Sequence, residues 1–118
     1  MPFLAKGYNA GSTCEDMNMT CDCTNLVHYR DLGMDAHFAE VSVLLCQNCG
    51  QHWLRYFYEN EAFTASGRWY LGAITPTQLA ALTTESAKAI LEGLDWYAYG
   101  GSFYGGSGKT SGKIALFP

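Results

Sequence analysis

Charge is what this 118-residue chain has least of. Asp, Glu, Lys and Arg make up 15% of it, against roughly 25% in an ordinary soluble domain. The formal net charge is −4, and the basic residues Lys6, Arg30, Arg55, Arg68, Lys88, Lys109 and Lys113 form no run. A general nucleic-acid binder concentrates Lys and Arg against phosphate, so nucleic acid is the less expected partner. The charge is unevenly spread, since no acid follows Asp95 and the end of the chain is mildly basic. Long apolar runs are missing too. No stretch approaches the ~20 apolar residues of a membrane span, and Met1-Pro2-Phe3-Leu4-Ala5-Lys6-Gly7 lacks the apolar h-region of a signal peptide. The expectation is a protein of the cytoplasm with no membrane contact. Thiols stay reduced there, and clustered cysteines serve metals more often than disulfides.

Catalytic strings are also absent. The sequence contains no G-x-S-x-G and no H-E-x-x-H. Gly105-Gly106-Ser107-Gly108-Lys109-Thr110 looks like the end of a phosphate-binding loop, but the motif needs glycine where Phe103 stands, a strand before it and a helix after it. Glu59 and Glu61 would share a face of an extended chain with no base or nucleophile signature beside them, and read as solvated turn residues.

What the chain does have is aromatic rings and cysteines. Phe, Trp and Tyr amount to 14% of the residues, more than so small a core needs. Alternation along adjacent strands cannot send Trp53, Tyr56, Tyr58, Trp69 and Tyr70 all into one core. These five are therefore expected to contribute an exposed patch for a protein partner, because Tyr and Trp are enriched where interfaces bury them. The cysteines form two close pairs, Cys21-Asp22-Cys23 and Cys46-Gln47-Asn48-Cys49, the second followed by Gly50. Two thiolates on a tight turn can face one ion, and Gly50 permits the positive φ that such a turn often needs. Zinc favours four thiolates in a tetrahedron, and iron also suits such a set. The expected metal ligands are Cys21, Cys23, Cys46 and Cys49. Four protein ligands close the coordination shell, which marks the metal as structural. Cys14 is left over, and His28, His37 and His52 are the alternative ligands, His52 foremost because it lies three residues past Cys49.

At this point residues 21–58 resemble zinc-ribbon proteins, in which two cysteine knuckles at the tips of β-hairpins grip one zinc. The second knuckle matches best, while Cys21-x-Cys23 has one intervening residue instead of two. The resemblance implies a structural module that contacts proteins or nucleic acids.

The predicted fold is α+β in a single domain spanning 1–118, with a zinc-ribbon-like portion at 20–60, a helical portion at 75–94 and a Gly/Ser-rich loop or tail at 100–113. Strands are expected at Asn25–Arg30, Phe38–Leu45, Gln51–Tyr58 and Arg68–Leu71, the last closed at Gly72, in a small antiparallel sheet with a zinc-ribbon-like hairpin pair. Thr75-Pro76-Thr77-Gln78 carries a capping-box start for a short helix. Ala87, Ile90, Leu91 and Leu94 give a second helix its apolar stripe, with Gly93 as its stop. Ile114–Phe117 is expected to return as an edge strand. The favoured function is a non-catalytic, metal-stabilised protein-binding module. The rival is a small enzyme using the Gly-rich segment near Trp96–Tyr99 as a substrate loop. A weaker alternative is nucleic-acid contact through the aromatics with Arg55, Arg68, Lys109 and Lys113.

Overall fold

Six short strands pair in chain order. The computed structural model describes residues 23–60 and 62–114. The strands are β1 (Leu26–Met34), β2 (Glu40–Cys46), β3 (His52–Tyr58), β4 (Arg68–Ile74), β5 (Tyr97–Gly101) and β6 (Gly106–Thr110). They form one antiparallel sheet in the order β1-β2-β3-β4-β5-β6. The α+β class expected from the sequence is what the chain adopts. The single excursion from this meander lies between β4 and β5, where α1 (Pro76–Ala81) and α2 (Ala87–Glu92) are inserted.

The helix boundaries follow local chemistry. Thr75 accepts from the Gln78 amide while the Gln78 side chain accepts from the Thr75 amide, the capping box that the sequence predicts. The second helix stops at Gly93, whose φ of −90° lies in the right-handed region. Its role is therefore to end the helix without a left-handed cap.

Register decides which residues face the helices. Val41 pairs with Tyr56, Val43 with Leu54, and Tyr56 with Tyr70, so these share one face. That face forms the main core with Ala39, Ile74, Leu82, Ala87, Leu91, Tyr97 and Ile114. The helices press hard on the sheet at Gly72, where a Cβ would meet Leu94 Cδ1 at 2.4 Å and Leu91 Cδ2 at 2.7 Å. Any side chain there would lift α2 off β4. On the opposite face Ser42, Leu44 and Cys46 of β2 stand beside Arg55 and Trp53 of β3 and Leu71 and Ala73 of β4. No helix covers that face among the described residues.

Three segments depart from the sequence reading. One is β4, which continues through Gly72 to Ile74 because Leu54 and His52 of β3 still pair with it there. The first strand runs to Met34 instead of ending near Arg30, carried past Asp31 by irregularities between His28 and Arg30 and between Asp31 and Gly33. The Gly/Ser-rich stretch, expected as a loop or tail, closes as a hairpin in which Tyr97 pairs with Thr110 and Gly101 with Gly106. Its turn folds back onto the core, with Tyr104 Oη 2.8 Å from Tyr70 Oη and the Phe103 ring 3.7 Å from the Arg68 guanidinium carbon. Of the expected terminal strand, Ile114 is buried in the core, and 115–118 lie outside the described residues.

Candidate metal centre and binding face

The β2–β3 hairpin carries Cys46 and Cys49 at its tip. Cys46 ends β2, and its amide donates to the Gln51 carbonyl at 2.9 Å while its own carbonyl accepts from Gly50 at 2.8 Å. Gly50 has φ +83°, the left-handed turn that the glycine permits. Gln51 then anchors the returning strand, its buried amide nitrogen donating to the carbonyls of Ile74 and His52 at 2.8 and 2.7 Å. The chain ahead of β1 is tied to the same tip, for the Gln47 amide donates to Asn25 carbonyl at 3.0 Å. This delivers Cys23, with φ 52°, to the knuckle.

Three sulfurs converge there. The ligand atoms of Cys23, Cys46 and Cys49 all lie within 4.8 Å of one another, and the Cys23 and Cys49 sulfurs are 3.8 Å apart. Zinc–thiolate bonds of ~2.3 Å at tetrahedral angles place two sulfurs about 3.8 Å apart. Cys46 is fully buried and Cys23 is 9% exposed, so a bound cation would be largely shielded from water. Trp53, Ala73, Leu26 and Leu44 pack around the cysteines in a second apolar cluster, distinct from the helix-covered core. Cys21 and Cys14 lie outside the described residues.

None of the three histidines joins the thiol cluster. Strand alternation explains His52, which pairs with Leu45 on the face opposite Cys46 and sets its ring edge-on to Tyr29 at 4.6 Å. Burial, aided by the Arg30 charge, pushes the His52 pKa down. Thiols this close can also oxidise. Cys23 and Cys49 are disulfide-bonded in this structure, and Cys46 is a free thiol. A sulfur held in a disulfide is no thiolate ligand, so metal binding by this cluster would need the reduced thiols.

Compared with protein-family models, curated proteins and solved structures, the chain matches none of them.

The five aromatic residues expected to form one patch are divided between the two faces. Tyr56 and Tyr70 are buried under the helices, and Tyr58 shares their side. Trp53 and Trp69 lie on the open face, Trp53 buried at the knuckle end and Trp69 half-buried farther along. Trp96 joins them, its ring 6.0 Å from Trp53 in an edge-on contact and carrying Lys109 Nζ 4.5 Å from its centroid. Sequence reasoning missed Trp96 because it precedes β5 and obeys no strand alternation.

The basic residues divide as well. Arg68 is fully buried between the rings of Tyr58 and Phe103, its Nε donating to Ser66 carbonyl at 3.1 Å. It is thereby withdrawn from the surface. Arg55 and Lys109 remain on the open face.

A second polar cluster lies at the β1–β2 turn beside α2, where Asp35, His37, Glu85, Lys88 and Glu92 line a hollow of about 280 Å³. Both oxygens of Asp35 are engaged. One accepts from the His37 and Ala39 amides at 2.9 and 3.0 Å, and the other accepts from the Tyr56 hydroxyl and faces His37 Nδ1 at 3.4 Å. Desolvation opposes ionisation of Asp35, but the Tyr56 hydroxyl and the Ala39 and His37 amides outweigh it and hold the pKa below the usual carboxylate range. The Tyr56 phenol is pushed up by burial and by the hydrogen bond to Asp35. A carboxylate so fully occupied acts as a staple for the turn.

Proposed function

We propose that this protein is a non-catalytic binding module whose knuckle end is held by a structural metal, zinc in the first place, bound by Cys21, Cys23, Cys46 and Cys49. The observation that carries the reading is the convergence of three sulfurs within 4.8 Å of one another, with Cys23 and Cys49 at the 3.8 Å separation of two thiolates on a tetrahedral ion. Four thiolates also suit iron, and metal analysis separates the two. The binding face is the open side of the sheet, which begins at the knuckle and which the described helices leave uncovered. The enzyme alternative loses support from the position of Phe103 and Tyr104, whose rings pack on Arg68 and Tyr70.

The test is native mass spectrometry with metal analysis of protein purified under reducing conditions. The expected result is about one zinc per chain and a fall in melting temperature on chelation. Metal-free protein that melts at the same temperature overturns the reading. So does rapid alkylation of fresh lysate that finds Cys49 in a disulfide.

A further inference from the structure

The open face has a chemical character that the composition of the chain hides. Its cross-strand rows can be read from the register. Arg55 stands opposite Leu71, Leu71 opposite Ala98, and Ala98 opposite Lys109. Arg55 and Lys109 are thus separated by three strand spacings, about 14 Å of sheet. The adjoining row holds Phe57, Trp69, Gly100 and Ser107. A Cβ on Gly100 would sit 2.5 Å from Trp69 Cζ2 and 2.8 Å from Cε2. The indole therefore lies against the sheet over the glycine, leaving its other surface toward the open side, where Trp69 is half-buried. Beside it a hollow of about 230 Å³ is lined by Leu44, Arg55, Trp69 and Leu71. That is small for a drug-sized ligand but suited to one planar ring system.

Two cations, Arg55 and Lys109, stand on this face. Neither Arg55 nor Lys109 is paired with a carboxylate among the described residues, where the ion pairs are His37–Asp35 and Lys88–Glu92 on the helix side. The guanidinium of Arg55 stacks on Phe57 at 5.1 Å, and Lys109 on Trp96 at 4.5 Å, which presents both cations at the level of the rings. Acids share this face, with Asp31 across Ser42 from Arg55 and Glu40 opposite Phe57, while Lys109 lies on the far edge strand from both.

We infer that the open sheet face binds single-stranded nucleic acid, with a base stacked on Trp69 and backbone phosphates met by Arg55 and Lys109. Stacking on an aromatic platform flanked by cations is how a sheet holds unpaired bases, and it requires neither a basic run nor a high overall charge. Duplex is excluded as the ligand because its bases are stacked on one another and cannot reach the indole. This inference rests on the binding-module reading and supplies its partner class.

The test is fluorescence anisotropy of labelled oligo-rU and oligo-dT with the intact chain at low ionic strength, with tryptophan quenching followed in parallel. The expected result is binding that weakens with salt, with a log–log slope of about −0.7 per phosphate contacted. Trp69→Ala should weaken it by about 5- to 150-fold, and Trp69→Phe should restore part of the loss. Arg55→Gln should make the slope shallower by about 0.7. Metal content and melting temperature are measured on the same samples. Absence of binding by metal-loaded, folded protein overturns the nucleic-acid inference and leaves the module reading standing. Binding by folded protein that contains no metal overturns the module reading alone. Displacement of the oligonucleotide by a polyglutamate peptide at equal charge concentration overturns the inference in favour of an acidic protein partner. An unchanged affinity in folded Trp69→Ala overturns it too.

Discussion

Replacing Gly100 with alanine tests the geometry on which the binding face depends. Gly100 is not among the positive-φ glycines, so alanine meets no backbone penalty, and a strand position gains about 0.5–1 kcal/mol from the reduced freedom of the unfolded chain. Against this stands the Trp69 ring at 2.5 and 2.8 Å from the new Cβ, with Ser107 Cβ at 3.0 Å. Carbon atoms prefer about 3.5–4.0 Å, so the indole must rise by about 1 Å, and overpacking of that kind costs about 1–3 kcal/mol. The net expectation is a loss of about 1–2 kcal/mol, a fall in urea midpoint of about half to one molar if m is near 2 kcal/mol/M. The discriminating measurement is the same substitution in a Trp69→Ala background. With the ring gone the clash is gone, and Gly100→Ala should become neutral or mildly stabilising, giving a coupling of about 1–3 kcal/mol between the two positions. Equal destabilisation in both backgrounds would refute the argument, because the indole would then not rest on Gly100.

Other expectations follow from the same contacts. Cys49→Ser should lose the metal and about 3 kcal/mol or more, lowering the melting temperature by more than about 10 °C, while Cys14→Ser should change neither; thermal melts with metal analysis decide. Tyr56→Phe removes the hydroxyl that donates to Asp35 and should cost about 1.5–3 kcal/mol in chemical denaturation, the range for a hydrogen bond to a charged group. The depressed pKa of Asp35 contributes stability that is present above the ordinary carboxylate pKa and is lost as pH falls through the lower folded value. Asp35→Asn should therefore lower stability at neutral pH and flatten the acid limb of the stability profile below about pH 4. Gly72→Ala should destabilise more than Gly100→Ala, because the displaced atoms belong to the buried Leu91 and to Leu94 of the core rather than to a half-exposed ring.

Local signals in the sequence were sufficient for much of the fold. Alternation placed β2 and β3 to within a residue or two, and Thr75-Pro76-Thr77-Gln78 placed the first helix, because these depend on neighbours within a few positions. The spacing of Cys46 and Cys49 with Gly50 located the knuckle for the same reason. The glycine-rich segment was not legible. Its pairing with β5 is a tertiary gain, and side-chain propensity at Gly106, Ser107 and Gly108 says nothing for a strand. Nor could the sequence sort the rings. Period-two alternation says that Trp53 and Tyr56 face opposite sides, but only the helices, by covering the face with Tyr56 and Tyr70, determine which side is core. Arg68 shows the limit most clearly, since a charged residue at a strand start reads as surface until Tyr58 and Phe103 enclose it. What the sequence determined by itself is the pairing-ready strands, the capped helix and the cysteine turn. Which face stays open, and that it gathers Arg55, Lys109 and a flat Trp69 beside three converging sulfurs, was decided by strand register and helix placement, which join residues far apart in the chain.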